Sequence, residues 1–322
     1  MSSAADLKTV LRRRMRALET QLPAALDGDP RALHRARVAS RRVREVLPLV
    51  PDAPSGAKRR VRRLTQWLGR VREMDVALGL LADEETSGRV PRAALGEARQ
   101  QLQIAREERR EKLLEGVGKL DRGKLARALR KLIARASEED VDVWRRTLAA
   151  RLARRVNVFR RGMSKAGAIY VPERLHAVRI AAKKLRYALE IAAELGVPGA
   201  AKEAAIVRRT QVTLGDLQDR HILSRHLHAA AAQDSAGPNG LAALESQLEA
   251  SCRELHAVFL SQREALNGAL TAIRQQVVPA LAHSTRRRRS LKAATATVTN
   301  GKSDRAVPDS TRARRGARRR LA

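Results

Sequence analysis

Cysteine, aromatic residues and negative charge are all scarce in this chain. Cys252 is the only cysteine among 322 residues, so no internal disulfide can form and a disulfide-stapled secreted scaffold is excluded. Aromatic residues make up 2% of the chain. The core must therefore be aliphatic, and a stacking platform for the bases of a single-stranded nucleic acid is disfavoured. No apolar run reaches the length needed to span a bilayer. The opening MSSAADLKTVLRRRMRALETQL has no apolar signal-peptide core, so a reducing, cytoplasmic location without membrane insertion is expected. Acidic residues number 34 against 66 Lys and Arg, a net charge of +32. Such a surface repels itself unless it meets anions: nucleic acid, an anionic membrane, an acidic protein or another phosphate polymer.

What is abundant is Ala, Leu, Arg, Glu and Lys, all good helix formers, so an all-α fold is predicted. Helix signals recur with clear punctuation. A helix over about 5–22 should stop before Pro23. Asp29-Pro30 supplies an N-cap and an N1 proline for a helix to about Leu47. Further helices are expected over about 55–84, 91–115 and 121–136. Ser137-Glu138-Glu139-Asp140 resembles a capping box for a helix to about 163. Pro172 and Pro198 sit as N1 prolines for helices over about 172–195 and 198–232, and a long pattern follows Pro238 to about 278. Beyond His283, residues 284–322 carry 13 Lys or Arg and 2 acidic residues, a net +11, with little apolar periodicity. They are expected to be a disordered basic tail. The preceding residues keep a net +21.

The helical region reads as a duplication. LHRARVASRRVREVL at 33–47 matches LHAVRIAAKKLRYAL at 175–189. LRRRMRAL (11–18) precedes the first and LARRVNVF (152–159) the second. Downstream, LTQWLGRVREMD (64–75) resembles RTQVTLGDLQD (209–219). The Leu-Gly pair follows the His by 34 residues in the first half and 38 in the second, a difference of about one helical turn. Two halves, about 1–135 and 137–283, are expected to be related helical bundles with pseudo-twofold symmetry, their His helices facing a shared feature.

At about 100° per residue, His34, Arg37, Arg41 and Arg44 fall within an arc of about 80°. His176, Arg179, Lys183 and Arg186 repeat it. The opposite face of each helix is apolar: Ala36, Val43 and Leu47 in the first, Val178, Leu185 and Leu189 in the second. A solvated face is the ordinary explanation of a basic stripe, but solvated faces mix signs to form i,i+4 pairs. These stripes have no acidic member, with Glu45 and Glu190 off their central lines. Aligned cations repel, and repeating them at matching positions points to an anion. Arg forks match phosphate oxygens and Lys adds a point charge. Steps of three and four residues suit a repeating polyanion.

The pattern H-x-x-R-x-x-x-[RK]-[RK]-x-R, present as HRARVASRRVR from His34 and HAVRIAAKKLR from His176, with the two Leu-Gly segments, resembles the CHAD family, the conserved-histidine α-helical domain. The resemblance covers nearly all of residues 5–283. It implies two tandem helical bundles with a basic central groove or cavity, no cofactor, and binding of inorganic polyphosphate, with some members at polyphosphate granules. Carried onto this sequence, the binding positions are His34, Arg37, Arg41, Arg42, Arg44, His176, Arg179, Lys183, Lys184 and Arg186. Lys in place of Arg at 183 and 184 keeps the charge but loses the fork. Arg59, Arg60, Arg62 and Arg63, with Arg208 and Arg209, are candidates for support. Arg12–Arg14, Arg154 and Arg155 are weaker ones.

Asp75, Asp216 and Asp219 follow the Leu-Gly pairs and are expected to stabilise the turn region or to position stripe arginines. His221, His226 and His228 lack the partners of a zinc set, and no metal is expected. There is no Walker loop, Gly-x-Ser-x-Gly, His-Glu-x-x-His or dinucleotide fingerprint, and no Glu-x-Glu-x-Lys strand of a triphosphatase partner domain. The expectation is a non-enzymatic polyphosphate binder. The rivals are a nonspecific nucleic-acid binder using its basic surface and tail, a catalytic polyphosphatase and a scaffold for an acidic protein.

Overall fold

The computed structural model describes residues 6–50, 53–87, 92–135, 141–231 and 239–282. Every regular element among them is helical. Helices α1 (Leu7–Leu26), α2 (Pro30–Val46), α3 (Ser55–Ser87), α4 (Arg92–Gly118) and α5 (Arg122–Arg135) form the first half. Helices α6 (Val141–Ala166), α7 (Pro172–Glu194), α8 (Ala200–Ala231), α9 (Asn239–Ser261) and α10 (Arg263–Ala272) form the second. The basic tail and the Ser137–Asp140 capping box lie outside the described residues.

Contacts repeat between the halves. Helix α2 packs between α1 and α3, α4 lies on α3, and α5 returns to α1 and α3. In the second half α7 packs between α6 and α8, α9 lies on α8, and α10 returns to α6 and α8. Across the halves α2 meets α7, α3 meets α8 and α4 meets α9, so these three helices touch their own counterparts.

The main core draws on both halves, with Leu11, Val43, Leu64 and Leu68 in the first and Leu152, Phe159, Leu185 and Leu189 in the second. A second apolar cluster joins Met74 and Leu81 of α3 and Leu95 and Leu102 of α4 to Leu223 and Leu227 of α8 and Leu244 and Leu248 of α9. The long helices thus carry two apolar stretches and bridge the halves at both. Close packing also explains Gly116 on α4: a Cβ there would lie 2.6 Å from the indole of Trp67 on α3.

Four boundaries differ from the sequence reading. Pro23 does not end α1, which continues to Leu26. The ring removes the bond to the Glu19 carbonyl and crowds that carbonyl, but Glu19 is exposed, so the carbonyl can tilt outward and bond water instead. Pro198 is not N1 of α8: Gly199 intervenes at φ +75° and the helix opens at Ala200. The pattern after Pro238 breaks at Gln262, whose side chain bonds the Thr213 hydroxyl at 3.0 Å, and α10 continues into a π-helical turn at Ile273–Val277. The Leu-Gly pairs are not turns. Gly69 and Gly215 both lie inside long helices, α3 and α8.

The one-turn difference between the halves is also located. Helix α7 extends further past its His than α2 does, and its last turns carry Glu190 and Glu194. In the first half a 3₁₀ turn at Leu47–Leu49 takes that place and packs on α6.

Candidate functional site: a cationic cluster between α2 and α7

The apolar face of each His helix is consumed by its own half, which turns both basic stripes toward the contact between α2 and α7. Arg41 of α2 lies close enough to lower the pKa of Arg37 on its own helix and of Arg179 and Lys183 on α7, and Arg37 and Arg179 lower that of Lys183 as well. Arg37, Arg41 and Lys183 make no side-chain hydrogen bond or ion pair with any described residue. Arg179 has one partner, the Asp219 carboxylate of α8 at 3.3 Å. The Nε–H groups of Arg37 and Arg179 are buried donors without an acceptor among the described residues, and a buried donor left unpaired costs about 1–3 kcal/mol.

The two interior glycines explain how these guanidinia fit. A Cβ at Gly69 would stand 3.4 Å from Arg37 Nε, and one at Gly215 would stand 3.7 Å from Arg179 Nη2. Each arginine lies across the flat face that a glycine gives its neighbouring helix, and any side chain longer than a methyl would occupy the guanidinium's place. The two halves use one device.

The electrostatic strain is large. Burial, then Arg41, pulls Arg37 down to about 9, so it still carries its charge at neutral pH. Burial, then Arg179, Arg41 and Arg37, pulls Lys183 down to about 6, so at neutral pH its amine is mostly uncharged. Partial desolvation by the surrounding side chains lowers the pKa of His34, helped by Arg72 and Arg37. All are bases whose folded pKa lies below the ordinary value. Between about pH 6 and about pH 10 the unfolded chain therefore binds more protons at Lys183, and stability rises with pH across that window. Thermal melts at pH 6, 7.5 and 9 should show the melting temperature climbing, and Lys183→Met should flatten the climb. A wild-type profile no steeper than the variant's would show that Lys183 is freely hydrated.

The remaining predicted residues are distributed around this centre. Arg44 is half-buried, with its pKa lowered by burial and by Arg41 and Arg62. Arg186 is held by Gln211 at 2.6 Å and by Glu190, so its charge is locally matched. Arg42 and Lys184 are exposed on the flank, and Arg42 Nε is 3.7 Å from Glu190. His34 and His176 are exposed at the ends of the stripes, in unlike surroundings. His176 Nδ1 donates to Gln218 Oε1 at 2.6 Å. With that N–H spent, the ring can donate to a ligand from Nε2 only as imidazolium. The position matching Gln218 in α3 is Arg72, and His34 instead lines a cavity of about 580 Å³ with Arg13, Arg35, Arg42 and Glu194. Among the supporting candidates, Arg62 is near enough to affect Arg44. Arg59, Arg63, Arg208 and Arg209 are exposed and Arg60 is half-buried.

Arg14 and Arg155 are ties rather than ligand-facing cations. Arg14 reaches the Arg42 carbonyl of its own half at 3.1 Å and Glu194 of the other at 2.8 Å. Its counterpart Arg155 reaches the Lys184 carbonyl at 2.6 Å and Glu45 of the other half, and Arg151 joins it on Glu45 at 3.0 Å. These crossed ion pairs clamp α1 to α7 and α6 to α2. Glu45 and Glu190 stand off the stripes because they are spent on neighbouring arginines. Asp75 is buried against Arg106 of α4 at 2.8 Å, a structural pair. Asp219 positions Arg179, and burial raises the pKa of the nearby Asp216. Tyr187, buried beside Arg37 and Arg179, carries no signal of its site role in the sequence. Neither does Gln218. Among the described residues no three His, Cys, Asp or Glu side chains gather as a metal site. Cys252 is buried, with Sγ 3.6 Å from the Leu217 carbonyl.

This construction, with the His-led motif in both halves, is matched by the CHAD domain family profile over residues 9–228. The chain belongs to the CHAD-domain family. The match covers α1 and α2 through most of α8, so it contains both His helices and both interior glycines. The CHAD domain from the plant Ricinus communis has a similar crystal structure, with a TM-score of 0.55 at 22% identity, covering 86% of this chain and 95% of that one. PptA from Streptomyces chartreusis is similar with a TM-score of 0.52 at 17% identity, covering 84% of this chain and 98% of that one. At such identities the likeness establishes the CHAD fold. No curated protein sequence matches this chain. No helix among the described residues is long and apolar enough to cross a membrane.

Proposed function

We propose that this CHAD domain binds inorganic polyphosphate non-enzymatically, with Arg37, Arg41, Arg179 and Lys183 at the centre of the site. One observation carries the reading: Arg37, Arg41 and Lys183 are gathered from two halves of the fold, and their side chains have no hydrogen-bond or ion-pair partner among the described residues. A cluster so costly to assemble is stabilised when phosphoryl oxygens enter it, because each oxygen accepts from the unpaired donors and screens the mutual repulsion. A polymer suits it better than a lone phosphate, since the stripes continue on both sides through Arg44 and Arg186 and out to the exposed histidines. The basic tail adds sequence-independent contacts to polyphosphate or to DNA, and association with polyphosphate granules follows from the same affinity.

The test is competition on the full chain. Fluorescent long-chain polyphosphate is bound at ~150 mM salt, where exposed charges are screened within about 8 Å, and challenged with double-stranded DNA of equal charge. Polyphosphate should prevail, and Arg41→Ala/Lys183→Ala should weaken polyphosphate binding while leaving DNA binding unchanged. Equal competition by DNA, with no effect of the double substitution, would move the function to the tail and to nucleic acid. Incubation with Mg²⁺ and polyphosphate should release no phosphate; steady release would make the protein an enzyme.

A further inference from the structure

Binding a polyanion calls for a charged lysine, yet the lysine in this cluster is the group least able to hold a proton. Arg37 and Arg41 face it from α2, Arg179 from its own helix, and Asp219 from α8 is the acidic group that offsets them in part. Lys183 remains partly open to solvent and its amine has no hydrogen-bond or ion-pair partner among the described residues. It is therefore a solvent-reachable amine set among guanidinia that suit a phosphoryl group.

We propose that Lys183 is a modification site, acylated by small acyl phosphates whose phosphoryl group is held by Arg37, Arg41 and Arg179. The proposal shares with the function above the premise that the cluster accepts phosphate, and adds a reaction to it. The Nζ lone pair attacks the acyl carbon, a C–N bond forms, and the C–O bond to phosphate breaks. Inorganic phosphate leaves with the bonding electron pair, and the amine's proton passes to it. Nothing is oxidised or reduced. The guanidinia assist twice, by positioning the electrophile and by stabilising the departing phosphate. An ordinary lysine is uncharged to only about one part in a thousand at pH 7.5, whereas Lys183 is largely neutral there. Desolvation beside other cations is an established way of activating an amine. The product is an uncharged amide at the centre of the site, so acylation removes the amine that a bound polyanion would protonate and hold as a cation, and the level of acyl phosphate sets how much protein can bind polyphosphate.

Lys184 is the internal control, since it is adjacent in sequence but exposed on the flank. The full chain is incubated with acetyl phosphate at pH 7.5 and acetylation at each lysine is followed by mass spectrometry. Lys183 should react at least about tenfold faster than Lys184, part of the gain in neutral amine being lost to its lower basicity. Added inorganic phosphate should slow Lys183 selectively. With the N-hydroxysuccinimide ester of acetate, which carries no phosphate, the preference should shrink. Equal labelling of the two lysines, or a preference indifferent to inorganic phosphate, would overturn the proposal. A polyphosphate arm separates it from the functional reading. Binding at the cluster without selective labelling sinks the modification alone. Selective, phosphate-sensitive labelling that polyphosphate neither blocks nor responds to upholds the modification and sinks the polymer reading.

Discussion

Replacing Arg37 and Arg179 together with glutamine is expected to lower polyphosphate affinity at least roughly 100-fold at ~150 mM salt, because a hydrogen bond to a charged group contributes about 1.5–3 kcal/mol and two are removed. The same variant should melt at the wild-type temperature or above it. Both guanidinia are desolvated, Arg41 depresses both through space, Arg179 depresses Arg37 too, and each carries a buried Nε–H with no acceptor among the described residues. Removing them relieves repulsion and unpaired donors in the free protein. Asp219, which loses its partner, keeps 30% of its side-chain surface exposed and can turn to water. Loss of binding with no loss of stability is the signature of residues kept for a ligand. Arg59→Gln/Arg63→Gln is the matched control: two charges are removed from exposed positions, and affinity should fall by less than about threefold because exposed charges are screened by salt. Isothermal titration of both variants decides the matter. A cluster variant that binds within threefold of wild type would place the polymer elsewhere on the surface.

Glu45→Gln is expected to cost about 3–5 kcal/mol of stability, the range for breaking a buried ion pair by removing one partner. Glu45 is 7% exposed, and it faces Arg151 and Arg155 at 14% and 12%, so its loss leaves two guanidinia facing each other out of water. Urea denaturation should show the midpoint shift. The triple variant Glu45→Met/Arg151→Met/Arg155→Met should recover most of the loss, because an apolar replacement of a whole buried ion group is often neutral. A loss below about 1 kcal/mol would instead mark the pairs as solvent-screened, like an exposed salt bridge. The consequence for binding is indirect. The crossed ties from Arg14 to Glu194 and from Arg155 to Glu45 hold the two His helices against the repulsion of the cations between them. A chain that has lost one tie should also bind less cooperatively folded and more weakly, with bound polymer restoring part of its stability.

The amino-acid sequence by itself determined the helical class, the duplication and the composition of the stripes. Those features are written in local spacing: a 3.6-residue period places His34, Arg37, Arg41 and Arg44 on one face whatever the helix packs against, and a second copy at His176 needs no fold to be seen. It also determined the charge and, through its motif, the family. Helix ends were less legible, because Pro23 and Pro198 act through backbone satisfaction by water and by Gly199 rather than through identity alone. Which basic residues face a ligand was decided only by tertiary structure. Arg14 and Arg41 are chemically the same in a sequence, yet one is tied to Glu194 across the halves and the other has no ion-pair partner among the described residues. Glu45, Glu190 and Glu194 neutralise selected arginines because α7 runs further than α2 and because α6 lies against α2. Gly69 and Gly215 gain their meaning from arginines about thirty residues away in the chain. The physical reason is common to all of these: charge and periodicity are properties of a segment, whereas desolvation and pairing are properties of what the fold brings beside it.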